Sequence, residues 1–237
     1  MLLLHARAGS AAMWRRQLAA FSAAGYRCIA YDRRQSGRTE IAPGAPEALA
    51  ADDLRALVDA LAIERFHLLG TAAGGIVALD FALSHPERVR SLVFANSVGS
   101  AEIKQEPEYV AAAAQLRPPD ELPPEIRELG AWYRSHDPAG AREWLELGKE
   151  TRAKKPPFPS TRNRITLARL ADLRMPTLLL TGDIDPYTPP AVLEVFHRRI
   201  PQATALVIPN SGHSAFWEQP ERFNRAVLDF LNSDPGS

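Results

Sequence analysis

The chain has 237 residues, 46% of them hydrophobic, and its 28 lysine and arginine residues balance 28 aspartate and glutamate residues. This length predicts one domain with a sizeable core. A zero net charge excludes a typical nucleic-acid-binding protein, because no positive field attracts phosphates. The one cysteine, Cys28, excludes an intramolecular disulfide and is expected to be a buried, inert thiol.

No apolar run is long enough for a signal-peptide core or a membrane span. We therefore expect a cytoplasmic protein without a membrane partner. No pair of histidine or cysteine residues has metal-ligand spacing, so the sequence indicates neither a metal nor an organic cofactor.

Short apolar runs alternate with helical patterns along the chain. The apolar runs predict strands at residues 2–5, 27–31, 66–69, 89–95, 177–181 and 205–208. Helices are predicted around residues 54–61, 76–81 and 223–231, where apolar residues recur on one helical face. Nearly continuous apolar strands are typical of parallel strands covered by helices on both faces. The pattern predicts an α/β fold with a doubly wound, mostly parallel sheet.

Residues 98–165 interrupt this alternation with proline pairs and no convincing strand. Helical stretches are expected at residues 106–116, 125–135 and 139–149. Insertions this long inside a compact domain are usually functional. We expect a helical lid here, with residues 1–97 and 166–237 forming the core domain; a helical excursion without function is the alternative.

A glycine-rich turn, Gly70-Thr71-Ala72-Ala73-Gly74, follows the third predicted strand. Ligands bind outside the carboxyl ends of strands in open parallel sheets. The strand–turn–helix context is that of the G-x-S-x-G nucleophile elbow, which needs small residues at its first and last positions. The middle residue is Ala72, not serine. A phosphate-binding turn is a weaker interpretation, because the chain has no P-loop lysine.

A carboxylate and a histidine follow two later strands. Asp185 lies in the run Gly182–Asp185 after the fifth strand, and His213 ends the run Asn210–His213 after the sixth. Alone, they would more often be a turn residue and a surface histidine. Their order along the chain, elbow then acid then histidine, is that of a nucleophile–acid–base triad on such a sheet.

Several motifs resemble those of the α/β-hydrolase superfamily, and the resemblance covers essentially the whole chain. Leu3–Arg7 is similar to the L-L-H-G-x oxyanion turn, and Asp32–Thr39 is similar to the D-x-R-G-x-G-x-S loop. Gly182–Asp185 is similar to the G-x-x-D acid turn, and Gly212–Pro220 is similar to the G-H…E-x-P ending. The resemblance implies an enzyme that acts on a small carbonyl substrate such as an ester, a lactone or a β-diketone.

The resemblance also assigns roles to residues. His213 would be the general base, oriented by Asp185 rather than Asp183, and the backbone N–H groups of Arg7 and Ala73 would form the oxyanion hole. Ala72 would mark the nucleophile position.

The chain departs from the family pattern at several places. Ala6 and Gln35 replace glycines, and Ala72 replaces the nucleophilic serine. The family's first two antiparallel strands are missing, which a late start codon, a trimmed sequence or a real loss would each explain. The exposed sheet edge would need cover, for which a second copy in a homodimer is one candidate.

Three explanations of Ala72 remain open at this point. The chain is a serine-to-alanine variant of an active hydrolase; or it runs lyase, isomerase or decarboxylase chemistry with the His213–Asp185 pair alone; or it is a catalytically dead small-molecule sensor. The intact pair argues against the last.

Aromatic residues of the predicted lid are candidates for the substrate-binding surface, because ligand pockets are mostly apolar. We single out Trp132 and Tyr133 there, and Phe216 shortly after His213, although packing onto the core is an equal alternative. Trp144 and Phe158 are the other lid aromatics considered. A basic run at Arg152–Arg164 is usually a solvated face, but it could attract an anionic substrate.

Overall fold

The computed structural model describes residues 1–45, 47–113, 119 and 121–233. These residues form a six-stranded sheet in the order β2-β1-β3-β4-β5-β6, in which every neighbouring pair is parallel. The strands are β1 Leu2–Leu4, β2 Ile29–Ala30, β3 Phe66–Thr71, β4 Val89–Ala95, β5 Thr177–Gly182 and β6 Ala203–Ile208. The predicted mostly parallel sheet is confirmed, and β2 is shorter than its apolar run.

Helices cover both faces of the sheet. Their bounds are α1 Arg15–Ala23, α2 Ala50–Ala60, α3 Ala73–Ser84, α4 Pro107–Ala113, α5 Pro124–Glu128, α6 Ala131–His136, α7 Pro138–Lys154, α8 Pro190–Arg199, α9 Ala215–Glu218 and α10 Pro220–Ser233. Because side chains alternate along β1, Leu2 and Leu4 belong to the core cluster on the face that α2 and α3 cover. Leu3 packs on the opposite face with α1 and α10. This double cover explains the apolar runs of the central strands.

The segment between β4 and β5, residues 98–165, is helical where the structure describes it. The predicted helix at 139–149 corresponds to α7. The predicted helix at 106–116 corresponds to α4, and its last three residues lie outside the described residues.

The predicted helix at 125–135 is wrong, because the chain leaves the helical conformation at Leu129 and restarts as α6. Gly130 caps α6, and its N–H donates to the buried carboxylate of Glu218 rather than to a carbonyl of the preceding turn.

Helix α8 and the short helix α9 were not predicted from the sequence. Helix α8 buries Val192, Leu193, Val195 and Phe196; Pro189 precedes it and Pro190 is its first residue. In the part of the chain that the structure covers, no helix combines the length and the hydropathy that crossing a membrane requires.

Candidate active site

The turn from β3 into α3 holds Ala72 in an unusual conformation. Ala72 has φ 49° and ψ −117°, a region that non-glycine residues rarely adopt. A Cβ on Gly74 would lie 2.2 Å from the carbonyl oxygen of Leu4, and one on Gly70 would lie 2.4 Å from that of Gly74. Only glycine fits either position. The turn therefore keeps the backbone geometry of a nucleophile elbow, with a methyl group at its apex.

His213 and Asp185 form a close pair. The Nδ1 atom of His213 lies 2.9 Å from both carboxylate oxygens of Asp185. Asp185 is fully buried, and it accepts hydrogen bonds from the backbone N–H groups of Tyr187 and Thr188 and from the hydroxyl of Thr188. Because Nδ1 faces the carboxylate, Nε2 is the ring atom available to a substrate.

The pair shifts the titration of both members. Burial alone would raise the pKa of Asp185, but the His213 ring and the hydrogen-bond donors outweigh it and hold this pKa well below its usual range. Burial would lower the pKa of His213, but the Asp185 carboxylate outweighs it and raises that pKa. The arrangement therefore stabilises a proton on the imidazole, as a general base requires.

Asn96 supports the pair, and the sequence analysis missed it. It follows β4 directly with φ 48°, and its Nδ2 donates to Asp185 Oδ2 at 2.9 Å and to the Gly212 carbonyl at 3.3 Å. The signal was available, since a polar residue directly after a buried parallel strand lies at the same edge as Asp185 and His213.

The predicted catalytic and oxyanion residues meet at one cavity of about 490 Å³. Ala72, Ala73, Arg7 and His213 line it, with Asp185 behind the histidine. Ala73 is the first residue of α3, so its N–H has no acceptor within the helix. Among the described residues, no group of three or more histidine, cysteine, aspartate or glutamate side chains could hold a metal ion.

A buried histidine, His5, holds the turn that was predicted to supply an oxyanion N–H group. The Nε2 of His5 accepts the backbone N–H of Arg33 at 3.1 Å, and its Nδ1 lies 2.6 Å from the carbonyl oxygen of Ala6. Burial lowers the pKa of His5 to about 3, so the ring is neutral and donates from Nδ1. This clamp fixes the backbone immediately before Arg7.

Of the aromatic candidates, Phe158 lines the cavity, whereas Trp132, Tyr133, Trp144 and Phe216 are not among the described residues that line it. Tyr133 is buried, and its hydroxyl donates to Asp137. Phe216 packs on Trp14, with ring centroids 4.5 Å apart, while Trp132 stacks on the ring of His136. Two rings that were not candidates, Tyr109 and Tyr187, line the cavity together with Phe158.

The basic run at Arg152–Arg164 also points elsewhere. Lys154 donates to the carbonyl of Gly37, and Arg162 pairs with Asp52 at 2.8 Å. No lysine or arginine of this run is among the described residues that line the cavity.

A carboxyl group outside the predicted set also faces the cavity. Glu128 ends α5, and its carbonyl accepts the backbone N–H of His213 at 2.7 Å. Burial raises the pKa of its side chain, although His213 and nearby arginines act in the opposite direction. Because α5 lies in an irregular, proline-rich stretch, no periodicity pointed to this residue.

Comparisons with known proteins agree with this geometry. The chain is 34% identical over 245 residues to a Variovorax paradoxus (strain S110) protein whose name describes it as a carbamate hydrolase, RutD; the match covers 98% of the chain and 91% of that protein. It is 30% identical over 253 residues to the 2-hydroxy-6-oxononadienedioate/2-hydroxy-6-oxononatrienedioate hydrolase of Burkholderia vietnamiensis (strain G4 / LMG 22486), covering 98% and 86%.

The fold is also similar to a solved structure of a thermophilic esterase from Thermogutta terrifontis. The TM-score is 0.75 at 27% identity, and the match covers 98% of this chain and 88% of that one. The family model described as "Alpha/beta hydrolase family" matches residues 1–226. The elbow, the acid and histidine at successive strand ends, and these matches show that the chain belongs to the α/β-hydrolase family.

Proposed function

We propose that the chain is an enzyme that acts on a small carbonyl substrate, such as an ester, a lactone or the C–C bond of a diketone. The observation that carries this proposal is the His213–Asp185 pair, joined at 2.9 Å, beside the Ala72 elbow and within one cavity. The chain's relatives that are named as hydrolases support the more general part of the proposal, an enzyme that acts on a small substrate.

Ala72 determines which chemistry is open to the site. A methyl group cannot attack a carbonyl, so no acyl-enzyme forms at residue 72. Instead, Nε2 of His213 removes a proton from a water molecule, whose oxygen attacks the carbonyl carbon. The C=O electron pair moves to oxygen, where the N–H groups of Arg7 and Ala73 stabilise the negative charge. When the intermediate collapses, the leaving group takes the proton from His213.

A second candidate is a lyase, isomerase or decarboxylase that uses the same pair for proton transfer. The observation in its favour is that the cavity offers a second acid–base group, Glu128, but no nucleophilic oxygen at residue 72. Such reactions need only proton transfer and stabilisation of an enolate, which the histidine and the oxyanion N–H groups could supply.

Residues 98–165 act as a lid in this proposal, over the core formed by residues 1–97 and 166–237. Supporting this role, Lys104, Tyr109, Glu128 and Phe158 from this segment line the same cavity as Ala72 and His213. Lids of this kind exclude water and select substrates.

The test is the variant Ala72→Ser, assayed with a generic aryl ester. Serine at the elbow would place a hydroxyl beside His213 and complete a triad, so we expect hydrolysis to rise by about a hundredfold or more. Ala72→Gly is the matched control, since it changes the same residue without supplying an oxygen. No hydrolysis by either the unmodified chain or Ala72→Ser would refute the hydrolase proposal, and an equal gain in Ala72→Gly would refute residue 72 as the nucleophile position.

The variant His213→Ala separates the remaining alternatives. If the His213–Asp185 pair transfers protons, His213→Ala abolishes turnover in two backgrounds. In the Ala72→Ser background it abolishes hydrolysis of the aryl ester, and in the unmodified chain it abolishes turnover of any substrate. A protein that binds such ligands equally well in both forms but never converts them would be a sensor.

A further inference from the structure

Cationic side chains outnumber carboxylates among the described residues that line the cavity. Three cationic side chains, Arg7, Lys104 and Arg127, line it beside one carboxylate, Glu128. Burial raises the pKa of Glu128, which weakens its ability to neutralise the cations.

Two of the cations meet at one aromatic ring. The guanidinium carbon of Arg7 lies 5.0 Å from the centroid of Phe158, and the Nζ of Lys104 lies 5.7 Å from it. The three residues come from separate parts of the chain: the loop after β1, the stretch after β4, and the stretch after α7. Phe158 is half exposed, so the cluster lies at the mouth of the cavity.

The Arg7 guanidinium makes no hydrogen bond or ion pair with any residue in the described ranges. Its ring contact with Phe158 is a cation–π interaction, which leaves the N–H donors at the edge of the guanidinium plane available. A carboxylate is the ligand that this fork of donors matches, and a lysine nearby adds a second positive charge.

We propose that the cavity selects substrates that carry a carboxylate, and that the side chains of Arg7 and Lys104 bind it. Identification of the reacting carbonyl rests on the proposed function, in which the backbone N–H of Arg7 contacts its oxygen. One residue then contacts both ends of the substrate, so the carboxylate lies no further from the carbonyl than an arginine side chain reaches. Short keto acids and their esters or lactones meet this requirement.

The test measures binding rather than turnover, by isothermal titration calorimetry with 5-oxohexanoate and its neutral counterpart 5-oxohexanamide. We expect the unmodified chain to bind the acid about tenfold more tightly or better, as for hydrogen bonds to a charged group. Added salt should reduce the preference, because the cations lie at the exposed mouth of the cavity.

Variants assign the preference to the two cations. Arg7→Met and Lys104→Met should each weaken binding of the acid, and the double variant should bind acid and amide with equal affinity. Lys149→Met is the matched control, because this exposed lysine of α7 is not among the described residues that line the cavity. Circular dichroism checks that each variant is folded.

Equal affinity for acid and amide in the unmodified chain, persistence of the preference in the double variant, or no binding of either compound at millimolar concentration would overturn the proposal. The outcome is independent of the hydrolase test. A retained acid preference in a chain that hydrolyses no ester, with or without Ala72→Ser, would refute the proposed function and leave the carboxylate site standing.

Discussion

Replacing Glu218 with alanine tests how His213 is held in place. The Glu218 carboxylate is buried and accepts backbone N–H groups from Gly212 at 3.0 Å and Ser214 at 3.1 Å, on either side of His213. It also accepts the N–H of Gly130 at 2.7 Å. One side chain therefore joins the histidine loop to the segment between β4 and β5.

The expected loss of stability follows from these three donors. A buried N–H left without an acceptor costs about 1–3 kcal/mol. Because water would enter the vacated space and satisfy part of the demand, we expect Glu218→Ala to lower the free energy of unfolding by about 3–4 kcal/mol. That is a large share of the roughly 5–15 kcal/mol by which domains are usually stable. Glu218→Gln keeps one acceptor but turns an NH₂ group toward the donors, so it should lose less.

The assay is urea denaturation followed by far-ultraviolet circular dichroism, with Glu221→Ala as the control. Glu221 is exposed on α10 three residues away, and its removal should change the free energy of unfolding by less than about 0.5 kcal/mol. If Glu218→Ala loses no more than the control, the three hydrogen bonds do not stabilise the loop, and the reasoning fails.

The same carboxyl predicts a pH dependence. Burial raises the pKa of Glu218 to about 7, although its backbone N–H donors act in the opposite direction. A raised pKa means that the folded chain holds this proton more tightly than the unfolded chain. Its contribution to stability is therefore present below the unfolded pKa and is lost as the pH rises to about 7. Glu218→Gln should remove this component; an unchanged pH dependence would contradict it.

Two further predictions concern the elbow and the histidine. Gly74→Ala should lower the free energy of unfolding by about 2 kcal/mol or more, measured in urea, because the new Cβ would lie 2.2 Å from the carbonyl oxygen of Leu4; an unchanged midpoint would refute this packing argument. The pKa of His213, measured by NMR titration, should lie above 6.5 and fall in Glu128→Gln, since the carboxyl groups of Asp185, Glu128 and Glu218 all raise it. The contribution of the His213 proton to folding stability is present below the pKa of the unfolded chain and is lost as the pH rises through the pKa of the folded chain. A His213 pKa below 6.5 would contradict the stabilisation of its charged form by these carboxyl groups.

Much of the fold could be predicted from the sequence because it depends on local patterns of residues. A buried parallel strand needs a continuous apolar run, and the loop that follows it must lie at the carboxyl edge of the sheet. Residues directly after such runs, including Ala72, Asp185 and His213, could therefore be assigned to one edge without coordinates. Asn96 obeys the same rule and was overlooked, and the apolar pattern of α8 was also present in the sequence.

The helices of the segment between β4 and β5 were much harder to predict from the sequence. Its helices are short, and which face each one buries depends on where it docks against the sheet and on prolines that interrupt periodicity. Glu218 binds the N–H of Gly130 from almost ninety positions along the chain and so separates α5 from α6. The aromatic candidates Tyr133 and Phe216 turned into the core for the same non-local reason.

The sequence by itself determined the α/β class, the order of the strands' functional loops and the missing oxygen at residue 72, because these depend on residue type and on position relative to a strand. Only the tertiary structure decided which side chains face the cavity. Arg7, Lys104 and Phe158 are far apart in the chain, and no periodicity relates them. Their contact depends on how the segment between β4 and β5 packs over the sheet, which is a property of the assembled domain.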